Sequence, residues 1–217
     1  MIYSFSDTIF ENFNEVRWGL LDIIWSTSKG RHFLFIDSNQ NFNAIKQSEW
    51  YKHLRKSNQE QIDLQFVASA QLNKKHNNII ISQGVDDTFT LDEASHFLNQ
   101  PVSIVLENSL NDAYFVKAII YHFDNLGTLK KHLDNRWIQF ENMGGCTNME
   151  NFLNAKLSSF ETLPKEPYHY LRCFVLLDSD RISPQKKKEH KHGNNIHFLK
   201  KSKIPYHILE KINVINS

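Results

Sequence analysis

Two carboxylates one residue apart, Asp178 and Asp180, close an apolar run that reads Arg172-Cys173-Phe174-Val175-Leu176-Leu177. Side chains alternate faces along a strand, but at a strand end the chain turns, so two acids separated by one small residue can converge on one point. Carboxylates that close repel each other unless a cation sits between them, and an all-oxygen donor set favours Mg²⁺ or Mn²⁺ over zinc. The same pattern also serves as a turn or a helix cap. A second acidic position is needed to decide between these readings.

The run Pro101-Val102-Ser103-Ile104-Val105-Leu106 supplies one, because this second branched apolar stretch ends in Glu107. Beyond it Leu110, Tyr114 (or Ala113), Lys117 and Ile120 recur at helical spacing, with Asn108, Ser109 or Asn111 available as cap. Asp112 falls in the first turn of that helix. It reads equally as a helix-start residue favoured by the helix dipole and as a further ligand. In open α/β sheets, ligands bind beyond the carboxyl ends of the strands. If the two runs are neighbouring strands, Glu107, Asp178 and Asp180 gather at one edge.

The order of elements resembles the TOPRIM domain shared by topoisomerases, bacterial primases, OLD-type nucleases and RecR-like recombination proteins. The matching pieces are the strand Val102-Glu107, the helix Asp112-Phe123, the strand Trp137-Phe140 with Gly144-Gly145, the helix around Met149-Leu157, and the strand Cys173-Asp180 with its DxD. Thr90-Leu91-Asp92-Glu93-Ala94 looks like the helical entry of OLD-like, defence-associated members. Ile204-Pro205-Tyr206-His207-Ile208-Leu209-Glu210-Lys211 looks like their late strand. The likeness covers roughly residues 90 to 212. It implies a fold of α/β class, a mostly parallel, Rossmann-like sheet flanked by helices, over 87–217, with a smaller α/β region over 1–86. It implies Glu107, Asp178 and Asp180 as ligands of Mg²⁺ (or Mn²⁺), and Glu107, Asp112, Asp178, Asp180, Glu210 and Lys211 as catalytic residues. Such proteins usually continue into a further acidic and aromatic helical segment, whereas this sequence stops at Ser217.

Charge distribution adds to this. The formal net charge is +1, yet Lys186, Lys187, Lys188, Lys191, Lys200, Lys201 and Lys203 crowd the stretch after the DxD, opposed there by Glu189. Lysines beside a carboxylate-bound metal suit a polyphosphate backbone, through counterion release and direct phosphate contact. A solvated loop with no partner is the plainer account. Cys146 and Cys173 lack metal-ligand spacing and read as free thiols. With no apolar stretch of spanning length and no signal-peptide pattern, a soluble, cytoplasmic protein without a membrane partner is expected.

In the first hundred residues the pattern predicts a helix over Phe13-Ile24, a strand over His32-Ile36, a short helix over Glu49-Arg55, and strands over Ile62-Val67 and Asn78-Ser82, with a boundary near Gly84-Asp87. The aromatic load (Trp18, Trp25, Phe33, Phe35, Trp50 and Tyr51 among it) reads as core or a partner interface, and also fits a base-stacking surface. His190 and His192 flank Lys191 without the donors of a zinc site. Serine-hydrolase elbow, Walker and dinucleotide-binding motifs are absent.

The expected function is therefore metal-dependent phosphodiester hydrolysis of DNA or RNA. The resemblance implies a small OLD-like nuclease of bacterial antiviral defence, working with an ATPase or sensor partner. The alternative is a TOPRIM shell without turnover, acting as a nucleic-acid-binding or regulatory subunit. A third is a toxin-like component held inactive by a partner. Topoisomerase and primase activities, which need further large modules, are not expected.

Overall fold

A computed structural model of the 217-residue chain describes residues 1–10, 13–72, 79–83, 88–108, 110–178, 193–204 and 206–209; the side chains of residues 7, 13–18, 178, 193–195 and 206–209 are outside that description. The chain divides into two compact units, Met1–Gln100 and Pro101–Ser217. The division falls at Pro101 and not near residue 86, where the sequence suggested it. The helix Leu91–Asn99 belongs to the first unit, because its Leu91 packs against Gly19.

The first unit runs β1 (Ile2–Phe5), α1 (Phe13–Ser28), β2 (Phe33–Leu34), α2 (Asn39–Gln47), α3 (Glu49–Lys52), α4 (Lys56–Ser69), β3 (Ile79–Ile81) and α5 (Leu91–Asn99). Its sheet has the order β2-β1-β3 and every pairing is parallel. The central strand β1, which the sequence reading did not assign, buries alternate residues Tyr3 and Phe5. Ile62–Val67 is not a strand but the middle of α4. Ile62, Leu64 and Phe66 alternate as a strand would, yet Ile62 and Ser69 are buried at helical spacing while Leu64 and Val67 stay exposed. Helix α4 also finishes the sheet: the outward N–H groups of Leu34 and Ile36 donate to Gln65 Oε1 and Ser69 Oγ, each at 3.0 Å. Those polar side chains cover the edge of β2 that no strand pairs with among the described residues. Helix α5 starts on a capping box, with Thr90 N donating to Glu93 Oε2 at 2.8 Å and Glu93 N donating to Thr90 Oγ1 at 3.4 Å.

The second unit runs β4 (Val102–Leu106), α6 (Asn111–Phe123), α7 (Thr128–Asp134), β5 (Ile138–Asn142), α8 (Met149–Ser158), β6 (Cys173–Asp178), α9 (Gly193–Lys201) and β7 (Tyr206–Leu209). The sheet order is β5-β4-β6-β7 and all pairings are parallel. Alternation along β4 and β6 sends Val105, Cys173, Val175 and Leu177 to a core shared with Met149, Leu153 and Leu199, on the α8 and α9 side. Leu106 and Leu176 go to the opposite face, under Ala113, Val116 and Ile120 of α6. Burial on both faces explains why these strands are continuous apolar runs. The chain is thus α/β, with parallel sheets flanked by helices in a Rossmann-like manner. No helix among the described residues is long and apolar enough to cross a membrane.

Candidate functional site

The path of the chain through the second sheet creates a crevice at a defined place. From β4 the chain moves outward to β5, then passes back over β4 to β6 and on to β7. Right-handed crossovers in opposite directions lie on opposite faces. Accordingly α6 packs on one face and α8 and α9 on the other. The connections leaving β4 and β6 therefore diverge although the two strands are hydrogen-bonded neighbours. In open parallel sheets, that divergence at the carboxyl edge is where ligands bind.

Glu107 and Asp178 stand on either side of this switch point. The register pairs Leu106 with Leu176, so Glu107 is one position beyond the last pair and Asp178 one position further along β6. With strands ~4.8 Å apart and a rise of ~3.3 Å per residue, their Cα atoms are about 6 Å apart. Glu107 is half-buried. Asp178 pairs with Leu209, the last described residue of β7. Asp180, Glu210 and Lys211 lie outside the described residues, as do Lys186, Lys187, Lys188, Lys191, His190 and His192.

The turn after Glu107 is fixed by local hydrogen bonds. Asn108 Oδ1 accepts from the N–H groups of Leu110 at 3.0 Å and Asn111 at 3.4 Å, and Asp112 Oδ2 accepts from Asn108 N at 2.9 Å. The N-cap position of α6 is Leu110, which makes no side-chain cap bond; Asn108, two residues earlier, supplies these bonds to the turn. Asp112 is buried in the first turn of α6, and one of its oxygens closes the loop behind Glu107. On the other side, Met143 N donates to Leu106 O at 3.0 Å, joining the exit of β5 to that of β4. The exit turns through Gly144 and Gly145, at φ +74° and +96°. The conformation and not the space demands glycine at Gly145, since a Cβ there would meet nothing within 4 Å.

Of the lysines proposed to touch nucleic acid, Lys200 and Lys201 occupy the last turn of α9 and Lys203 follows it, all three exposed. Lys203 Nζ donates to Tyr168 Oη at 2.9 Å. Among the described residues, no three His, Cys, Asp or Glu side chains form a group able to hold a metal ion. The Asp178 side chain and Asp180 lie outside the described residues.

A polar cluster that sequence reasoning missed runs along β4 and β5 of the same sheet. Ser103 Oγ donates to Glu141 Oε1 at 2.5 Å, Gln139 Nε2 donates to the same oxygen at 2.8 Å and to Ser103 Oγ at 3.2 Å, and Lys156 Nζ meets Glu141 Oε2 at 2.6 Å. Burial pushes the Glu141 carboxyl up. The bonds from Lys156, Ser103 and Gln139 together outweigh that and hold it below its ordinary value of 4.5. Cys173 pairs with Ser103 in the register, and burial pushes its thiol up to about 12. Ser103 is four residues before Glu107, about 13 Å along the strand. The cluster braces β4 against β5 and reaches toward the carboxyl edge through Glu141, which pairs with Val105, two residues before Glu107. Alternating polar residues in the run Gln139-Phe140-Glu141 were its one trace in the sequence.

No protein-family model matches this chain, and no match is found among curated proteins or solved structures.

Proposed function

We propose that the chain is a metal-dependent nuclease of TOPRIM type, hydrolysing phosphodiesters of DNA or RNA at the carboxyl edge of the second sheet. The observation that supports the reading is the adjacency of β4 and β6, whose exits carry Glu107 and Asp178 at the switch point. Carboxylates from two neighbouring strands, with Asp180 following, make an all-oxygen donor set that suits Mg²⁺ or Mn²⁺. Glu107, Asp178 and Asp180 would hold the cation, which would supply Lewis-acid chemistry to the phosphodiester there. The chain's own part is positional. Asn108 and Asp112 fix the turn that carries Glu107, so that its carboxylate is oriented before substrate arrives. Lys200, Lys201 and Lys203, with the lysines of 186–191, supply phosphate affinity independent of sequence. Action alongside an ATPase or sensor in antiviral defence rests on the resemblance to OLD-like proteins.

The test is cleavage of single- and double-stranded DNA and RNA by the purified chain in Mg²⁺ and Mn²⁺. Asp178→Ala and Asp180→Ala are each expected to lower the rate by about a hundredfold or more. Cleavage that survives both changes contradicts the assignment. Binding without cleavage across several metals favours the non-catalytic, regulatory reading.

A further inference from the structure

One side of α6 carries a single line of aromatic and cationic side chains. Tyr114, Lys117 and Tyr121 recur at i, i+3 and i+7, so they project from the same side of the helix. That side is the one toward β5 and α7. The Lys117 ammonium lies 5.8 Å from the Tyr114 ring and 5.5 Å from the Phe140 ring of β5, and the Lys130 ammonium of α7 lies 5.2 Å from the Tyr121 ring. Tyr114 and Tyr121 are 65 and 56% exposed, and both lysines are exposed as well. Ring and ammonium therefore alternate along one open stripe.

The alternation selects the occupant. Each nucleotide of a strand offers a flat base and an anionic phosphate, and a ring beside an ammonium receives both, the base by stacking and the phosphate by charge. Tyr114 and Tyr121 are about 10 Å apart along the helix, the length of about three nucleotides at ~3.4 Å each. The cations are available, since neither Lys117 nor Lys130 forms an ion pair among the described residues. From Ala113 to Trp137, Lys117, Lys130, Lys131 and Arg136 stand against Asp124 and Asp134. Both oxygens of Asp124 are engaged by α7, accepting from Thr128 N at 3.1 Å and Lys130 N at 2.8 Å. An acidic peptide would pair with the lysines and leave the rings unused. A duplex keeps its base faces inside its own stack, so a single strand alone can use the whole stripe.

We infer that Tyr114, Lys117, Tyr121 and Lys130 form a binding track for single-stranded nucleic acid, with bases on the two tyrosines and phosphates on the two lysines. Helix α6 follows the turn that carries Glu107, so a strand on this track leads away from the exit of β4. Its role as the path of the substrate rests on the nuclease reading above, whereas the binding itself does not.

Fluorescence anisotropy on the full chain tests the track, with labelled single-stranded DNA, single-stranded RNA and a duplex of equal length, in EDTA so that cleavage plays no part. Circular dichroism confirms that the variants fold. The wild type should bind both single strands more tightly than the duplex. Tyr114→Ser and Tyr121→Ser, both at exposed positions, should each weaken single-strand binding about tenfold, whereas Tyr121→Phe, which keeps the ring, should bind as the wild type does. Lys117→Gln with Lys130→Gln should make the slope of log affinity against log salt shallower by about 1.4. A wild type that binds no single strand overturns the inference, as does equal or tighter binding of duplex, or single-strand binding indifferent to both serine variants. Cleavage in Mg²⁺ with binding unaffected by the serine variants would remove the track and leave the nuclease reading, and ring-dependent binding without cleavage in any metal would do the reverse.

Discussion

Glu107 stands one register position beyond the Leu106–Leu176 pair, and Asp178 stands one position beyond that on the adjacent strand. Far apart in sequence, they are neighbours because β5 is inserted on the outer side of β4 and leaves β6 to pair with its inner side. Any change that alters the β4 exit should therefore act on the candidate site.

Gly145 offers such a change close to the site. At φ +96° it has room for a side chain but a backbone that L-residues rarely adopt. Gly145→Ala should lower unfolding free energy by about 1–3 kcal/mol, measured by denaturant titration. An unchanged midpoint would mean that the turn relaxes freely.

In the first unit, Gly19 sits inside α1 where alanine would ordinarily gain about 1 kcal/mol. Here a Cβ would come within 2.7 Å of Leu91 Cδ2 and 2.8 Å of Leu91 Cγ. Overpacking of that kind costs about 1–3 kcal/mol, so Gly19→Ala should destabilise. In a Leu91→Ala background the same change should stabilise, and a double-mutant cycle of melting curves reads the reversal of sign.

The Glu141 cluster predicts a pH dependence. Its carboxyl is depressed in the folded chain, so its contribution is present above the ordinary value of 4.5 and is lost as pH falls through the lower folded value. The Lys156 and Glu141 side chains are 28 and 19% exposed, and solvent screens the pair in part. Glu141→Gln should cost about 1 kcal/mol at neutral pH. The difference from wild type should close below pH 4.5, as followed by denaturation at several pH values.

The two thiols should separate kinetically. Cys173 is buried and its thiol is pushed up to about 12, whereas Cys146 is partly exposed. A disulfide reagent at neutral pH should label Cys146 in the native chain and reach Cys173 only on unfolding. Equal rates would show that β6 opens readily.

How much of this could be read in the sequence depended on where burial is two-sided. Strands β4 and β6 are buried on both faces, which makes them short apolar runs, and the acids after them stand out by contrast. That the two strands are neighbours was not legible, since pairing depends on the direction of each crossover. Ile62–Val67 misled because Ile62, Leu64 and Phe66 satisfy a strand's alternation, while α4 was positioned by polar contacts of Gln65 and Ser69 with the edge of β2. Strand β1 went unread because four residues at the start of the chain give too short a pattern. The boundary at Pro101 was missed because Leu91 meets Gly19 only in three dimensions.

The central claim is that Glu107 and Asp178 share one divalent cation. Manganese titration followed by electron paramagnetic resonance, on wild type, Glu107→Gln, Asp178→Asn and the double variant, tests it most directly. Each single change should weaken Mn²⁺ binding at least tenfold, and the double variant should be little worse than either, because one ion lost cannot be lost twice. Mn²⁺ affinity unchanged by both substitutions, or losses that simply add, would contradict the shared site.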